Sequence, residues 1–205
     1  MKITKESELN YISINNFKVA FLEDSIRASK LPMWTKEGEP NTDVTNTYKS
    51  LINSPIGSGH SCVAKGVLVY MELTATTKFW VQFQRYHHQE IISSQSTMHK
   101  LAKFNLDSDG MFINYVDKEI INRLKELQKI YNNNPTKENY LNLIYSHPSG
   151  LKLKAGITLN LEQIKTMAIQ RHNHKLPEWR EFISYLVNRE EFNEILTKSK
   201  ITEEG

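Results

Sequence analysis

The densest grouping of chemistry-bearing residues runs from Lys78 to His99. Arg85, His87, His88 and the serines Ser93, Ser94 and Ser96 crowd into it. At helical spacing Lys78, Gln82, Arg85 and Gln89 share one face. Phe79, Trp80 and Phe83 fall on the other side and pack inward. A face of cations and amides leading into a serine-rich turn suits an anionic, planar ligand. The same pattern also fits a solvated helix face followed by a loop.

Other constellations carry less. His87-His88 and His172-x-His174 invite a metal, but structural zinc sites use four ligands, often cysteine. This chain has one cysteine, Cys62, and no HExxH or CxxC pattern. Cys62 with His60 as base is a weak nucleophile pair, because residues two apart on an extended segment need not touch. There is no GxGxxG or Walker loop, and Gly57-Ser-Gly59 is too short for a dinucleotide fingerprint. A phosphate would be held by scattered Arg, Lys and His side chains and by helix ends.

The elements that must position these residues alternate irregularly. Asn16–Leu22 reads as a strand, Glu23–Lys30 as one or two helical turns and Leu31–Asn46 as a loop. Val44–Asn53 is a short helix capped by Thr42 or Asp43. Gly66–Thr74, rich in β-branched and aromatic residues, is the clearest strand. Thr76 can cap the following helix. His99–Phe104 is a short amphipathic piece, and Val116–Tyr131 carries apolar residues at helical spacing. Thr136 caps a helix to Tyr145. Leu151–Leu159 alternates as a strand until Gly156, and Asn160 with Gln163 forms a capping-box pattern. Pro177 opens a last helix, Glu178 to about Thr197. The predicted class is α+β, one domain over 1–205.

Composition sets the frame. The 205 residues are 39% hydrophobic and 24% charged, with net charge +3. That describes a soluble globular domain large enough to bury its own core. One cysteine fits a reducing, cytoplasmic compartment. No run approaches the roughly 18 apolar residues of a membrane span, and the N-terminus has no secretory apolar stretch. Without a dense Lys/Arg cluster, neither nucleic acid nor membrane is an expected partner.

Taken together, His60, Arg85 25 residues later, the histidine-rich turn with its serines, and a late strand–helix bearing Asn160 and Arg171 resemble the flavin-dependent thymidylate synthases. That family carries a signature RHRxxSxNExSxRY. Laid without gaps on Arg85–Met98, only the first Arg is identical. His60 falls on the head of the family's HxTPxxH segment, and Gln82 on its nucleotide-contacting Gln. Pro148, Lys154, Thr158, Asn160 and Arg171 lie in register with a later segment. His87 replaces the second signature Arg, Ile92-Ser93 the Asn-Glu pair, Gln95 the pyrimidine-facing Ser, and Thr97-Met98 the final Arg-Tyr.

The resemblance implies a mixed or antiparallel sheet flanked by helices. It implies a methyltransferase that reductively methylates a pyrimidine deoxynucleotide at C5, deoxyuridylate to thymidylate. FAD would be its cofactor, with NADPH and methylenetetrahydrofolate as co-substrates, and the assembly a homotetramer. His60, Arg85, His87 and Arg171 would bind the flavin. Gln82, Ser93, Ser94, Gln95, Ser96 and Lys154 would serve the nucleotide. Arg180 joins them on chemistry alone. The altered signature leaves two alternatives: a binding protein that has lost catalysis, or a C5-hydroxymethylating enzyme for deoxyuridylate or deoxycytidylate.

Overall fold

A computed structural model describes residues 9–87 and 89–196; His88 therefore lies outside the described residues. Strands β1 (Ser13–Ala20), β2 (Leu68–Thr76), β3 (Glu90–Ser94) and β4 (Lys152–Asn160) form one sheet in the order β1-β2-β4-β3. Every neighbouring pair is antiparallel. The helices are α1 (Leu22–Ala28), α2 (Asn46–Ile52), α3 (Thr77–Phe83), α4 (Thr97–Lys100), α5 (Lys118–Asn133), α6 (Lys137–Tyr145), α7 (Leu161–Arg171) and α8 (Pro177–Val187). A 3₁₀ stretch, Gly59–Gly66, precedes β2. The class is α+β. Among the described residues no helix is long and apolar enough to cross a membrane.

Period-two alternation decides which sheet face is inside. Val69, Met71, Leu73 and Ala75 of β2 and Ala155, Ile157 and Leu159 of β4 are buried. They join Phe79 and Phe83 of α3, Ile164 and Met167 of α7, and Trp179 and Phe182 of α8 in the main core. The opposite face carries Tyr70, Glu72, Lys154, Gly156 and Thr158, half-buried or exposed. A second, smaller core of Leu101, Leu106, Leu124, Leu127, Leu143 and Leu151 sits under α5 and α6.

Several elements depart from the sequence expectation. The stretch Ser93–Ser94 forms the edge strand β3, not a turn. Its side chains are largely exposed, so it shows no apolar alternation; backbone pairing with β4 makes it a strand. Helix α3 ends at Phe83, so Arg85 and Gln89 lie beyond it and Lys78, Gln82, Arg85 and Gln89 do not form one helix face. β1 begins earlier, at Ser13, and accommodates a register shift where Asn16 takes φ 52°. Asn tolerates that left-handed region better than most residues. Thr45, not Thr42 or Asp43, caps α2. The last helix stops at Val187, with a 3₁₀ turn at Glu190–Phe192 after it. The caps at Thr76, Thr136 and Asn160 and the Pro177 start are as expected.

Candidate functional site

The site is built on the corner where β2 turns into α3. Thr76 accepts from Phe79 N at 3.2 Å, and its own N–H and hydroxyl donate to Glu178 at 2.9 and 3.0 Å. Glu178 is buried, and burial raises its pKa above the ordinary carboxylate value. Trp80 Nε1 donates to Ala75 O and Leu153 O, tying α3 to both central strands.

The loop after α3 is held from both sides. Gln89 Nε2 donates to Phe83 O and Tyr86 O, each at 3.3 Å. Gln163 Nε2, from the first turn of α7, donates to His87 O at 2.5 Å. The same Gln163 accepts from Asn160 N through Oε1 at 2.8 Å, completing the capping box. One side chain thus starts α7 and fixes the Arg85–His87 backbone.

Between this loop and α7 lies a cleft of about 530 Å³. Arg85, Tyr86 and His87 form one wall; Glu162, Thr166, Gln170 and Arg171, on one face of α7, form the other. Arg171 Nε donates to Tyr86 Oη at 2.7 Å, and that hydroxyl donates to Gln170 Oε1 at 3.1 Å. The guanidinium lies 5.2 Å from the Trp179 ring and 5.6 Å from the Tyr86 ring. Such stacking fixes the plane of the cation without neutralising it. Glu162 turns towards the 3₁₀ stretch instead, accepting from Ser61 Oγ at 2.6 Å with Lys65 Nζ at 3.5 Å. Neither Arg85 nor Arg171 forms an ion pair with a described residue. Nearby, burial and the charges of Arg171 and Arg180 lower the pKa of His174. Its Nδ1 accepts from Leu176 N at 3.1 Å.

A second cleft, about 470 Å³, opens on the outer sheet face. Ser93, Ser94, Gln95 and Lys154 line it together with Tyr70, Glu72 and Gly156. Gln95 N donates to Lys154 O and Lys154 N to Gln95 Oε1, both at 2.9 Å. These bonds extend the β3–β4 pairing and fix the amide orientation of Gln95.

The structure therefore gathers the predicted residues into two groups: Arg85, His87 and Arg171 in the first cleft, Ser93, Ser94, Gln95 and Lys154 in the second. The other four stand apart. His60 is exposed at the start of the 3₁₀ stretch and is not among the residues lining the first cleft. Gln82 Oε1 accepts from Trp179 Nε1 at 2.9 Å, so its carbonyl serves the core. Ser96 caps α4, accepting from His99 N at 3.1 Å. Arg180 donates to His174 O and Lys175 O at 2.5 and 3.2 Å on the exposed side of α8. Sequence reasoning missed Tyr86, Gln163, Glu72 and Gly156. Tyr86 was the most accessible of these, an aromatic hydroxyl between Arg85 and His87.

The first cleft fits a flavin dinucleotide's anionic part. Two guanidiniums and an imidazole face it, one guanidinium is stacked and oriented, and the volume is within the range of small-molecule sites.

No protein-family model matches the chain, and no curated protein matches it. Solved structures do. A crystal structure of thymidylate synthase X (ThyX) from Helicobacter pylori with FAD and dUMP aligns at TM-score 0.64 and 16% identity. The alignment covers 92% of this chain and 97% of that one. A second, of the flavin-dependent thymidylate synthase ThyX from Helicobacter pylori complexed with FAD and dUMP, aligns at TM-score 0.66 and 17% identity. It covers 91% of this chain and 100% of that one. With the sheet order, the helices packed on it and near-complete coverage of both chains agreeing, this chain has the fold of the flavin-dependent thymidylate synthases.

Proposed function

We propose that this protein is an FAD-dependent enzyme of the thymidylate synthase type, adding a one-carbon unit reductively to C5 of a pyrimidine deoxynucleotide. The observation that carries the reading is the convergence of Arg85, Tyr86, His87 and Arg171 on one cleft, in a fold whose solved examples hold FAD and dUMP. Methylenetetrahydrofolate is the carbon donor, and bound flavin, reduced by NADPH, supplies the hydride.

The chain's own residues bind and orient. Arg85 and Arg171 hold phosphate oxygens, and His87 adds a donor at the mouth of the cleft. Tyr86 and Trp179 keep the Arg171 guanidinium aimed before the ligand arrives. Ser93, Ser94, Gln95 and Lys154 take the nucleotide in the second cleft. Gln82, Ser96 and Arg180 act through the positions of the segments they hold. The chemistry needs no protein nucleophile. The assembly is a homotetramer in a reducing, cytoplasmic setting.

Titration of the purified protein with FAD tests the reading. Uptake giving a yellow protein, followed by nucleotide- and folate-dependent NADPH oxidation, is the expected result. Failure to take up FAD overturns it. Flavin uptake without nucleotide-dependent oxidation identifies a binding protein that has lost catalysis, an outcome to which the uncharged Ser93 and Thr97, standing where the signature has Glu and Arg, point.

A further inference from the structure

The outer-face cleft contains a bare patch of strand. Gly156 pairs with Glu72 on one side and Ser93 on the other, so it lies in the middle of the sheet. Glycine inside a strand weakens it and often marks close approach of a ligand. Packing gives no competing reason: a Cβ built at Gly156 meets only the Tyr70 ring, at 3.5 Å from its hydroxyl, an ordinary contact. The backbone is not in the left-handed region either. What the glycine leaves is a flat floor beside the Tyr70 ring.

The wall above that floor has a definite order of hydrogen-bonding groups. Glu72 comes first. Its Oε1 accepts from Asn16 Nδ2 at 2.8 Å, and its Oε2 lies 3.7 Å from Lys154 Nζ. An ionised carboxylate accepts only. Lys154 comes next and only donates. Gln95 stands in the Lys154 row; its Oε1 is committed to Lys154 N, which leaves its amide NH₂ to donate. The order is acceptor, donor, donor.

We infer that this cleft seats a pyrimidine ring flat over Gly156 and that Glu72, Lys154 and Gln95 select a 4-amino base, cytosine, over uracil. The pairing edge of cytosine presents an amino donor, the N3 acceptor and the O2 acceptor, which complements that order group for group. Uracil presents acceptor, donor, acceptor, so the same placement sets its O4 against the Glu72 carboxylate and its N3–H against the ammonium. Lys154 thereby reads the base, not the phosphate. The inference rests on the reading of the protein as a pyrimidine-nucleotide enzyme, and sharpens its substrate to a deoxycytidine nucleotide.

Calorimetric titration of the FAD-loaded protein with deoxycytidylate and with deoxyuridylate provides the test. Deoxycytidylate is expected to bind about tenfold tighter or more, the discrimination a well-placed polar pair supplies. Glu72→Gln offers an amide that can donate to O4, and is expected to erase or reverse that preference. Gly156→Ala raises the floor and is expected to weaken both nucleotides without lowering the melting temperature or the flavin content. Equal or tighter binding of deoxyuridylate by the parent protein overturns the inference, as does an unchanged preference in Glu72→Gln. Either result with flavin still bound leaves the flavin reading standing; failure of flavin uptake overturns that reading and the inference with it.

Discussion

Arg171 shows how a surface cation can be held in place before any ligand arrives. Its Nε is held by Tyr86 and its guanidinium lies close to two aromatic rings, in the lining of the first cleft. Removing it with Arg171→Ala is expected to weaken FAD binding by about 1.5–3 kcal/mol, or roughly 10- to 100-fold. Tyr86→Phe keeps the ring and loses only the hydroxyl, so about 1 kcal/mol is expected. Flavin fluorescence titration measures both, and equal affinities in all three proteins would remove this cleft from the flavin site. Glu178 offers a pH test at the same scale. Burial raises its pKa, so the folded protein holds the proton more tightly than the unfolded chain does. Its contribution to stability is fully present below the ordinary carboxylate pKa and is lost as pH rises through the raised value. Glu178→Gln keeps an acceptor for Thr76 N–H and cannot titrate. The stability of the parent relative to Glu178→Gln is therefore expected to fall with rising pH across that window. Denaturant unfolding at a series of pH values reads the difference, and a pH-independent gap contradicts the assignment. That Arg85 and Arg171 could share one candidate site was suggested by the sequence because guanidiniums match anionic ligands, and the structure places both in one cleft. The bond from Trp179 to Gln82 was not legible, because the two residues lie 97 positions apart in sequence.

Helix α7 couples folding to the site through its first turn. Asn160 and Gln163 were readable as a capping box from their spacing alone. That Gln163 also donates to His87 O was not, because the partner lies 76 residues away in sequence. The two jobs can be separated. Asn160→Ala removes the cap and is expected to cost about 1 kcal/mol, lowering the melting temperature by about 2–4 °C in a chain of this size, with flavin affinity kept. Gln163→Glu keeps an acceptor for Asn160 N–H but sets a carboxylate oxygen against the His87 carbonyl. It is expected to weaken flavin binding more than Asn160→Ala does. Thermal melts paired with flavin titrations check this, and a reversed order means that the cap alone positions the loop. The edge strand β3 went unread for a related reason. Its exposed serines carry no periodic signal, and only pairing with β4, distant in sequence, makes it a strand. The strongly apolar β2 and the capped helices α6 and α7 were legible because their signals are local.

At the scale of the molecule, the described helices of the main core pack on one sheet face, while the second cleft opens on the other. The proposed homotetramer would close this open cleft with neighbouring copies, and light scattering of the purified protein is expected to give four chains. A monomer at micromolar concentration that still binds FAD and nucleotide would mean that one chain completes the site. The segment leading into β1 is fastened in a different way. Glu181 of α8 accepts from three consecutive backbone N–H groups, of Asn10, Tyr11 and Ile12, at 2.5, 2.7 and 2.9 Å. Glu181→Ala leaves these donors without their partner and is expected to cost about 1–3 kcal/mol, measurable by denaturant unfolding.

That clasp grips main chain and ignores what hangs from it. Asn10 is exposed, so nearly any residue placed there keeps its amide hydrogen and keeps the anchor. Proline, which has none, breaks it. A saturation scan of position 10 should therefore be flat across the alphabet with a single drop, and a lineage carrying this fold could rewrite that position freely so long as it avoided proline.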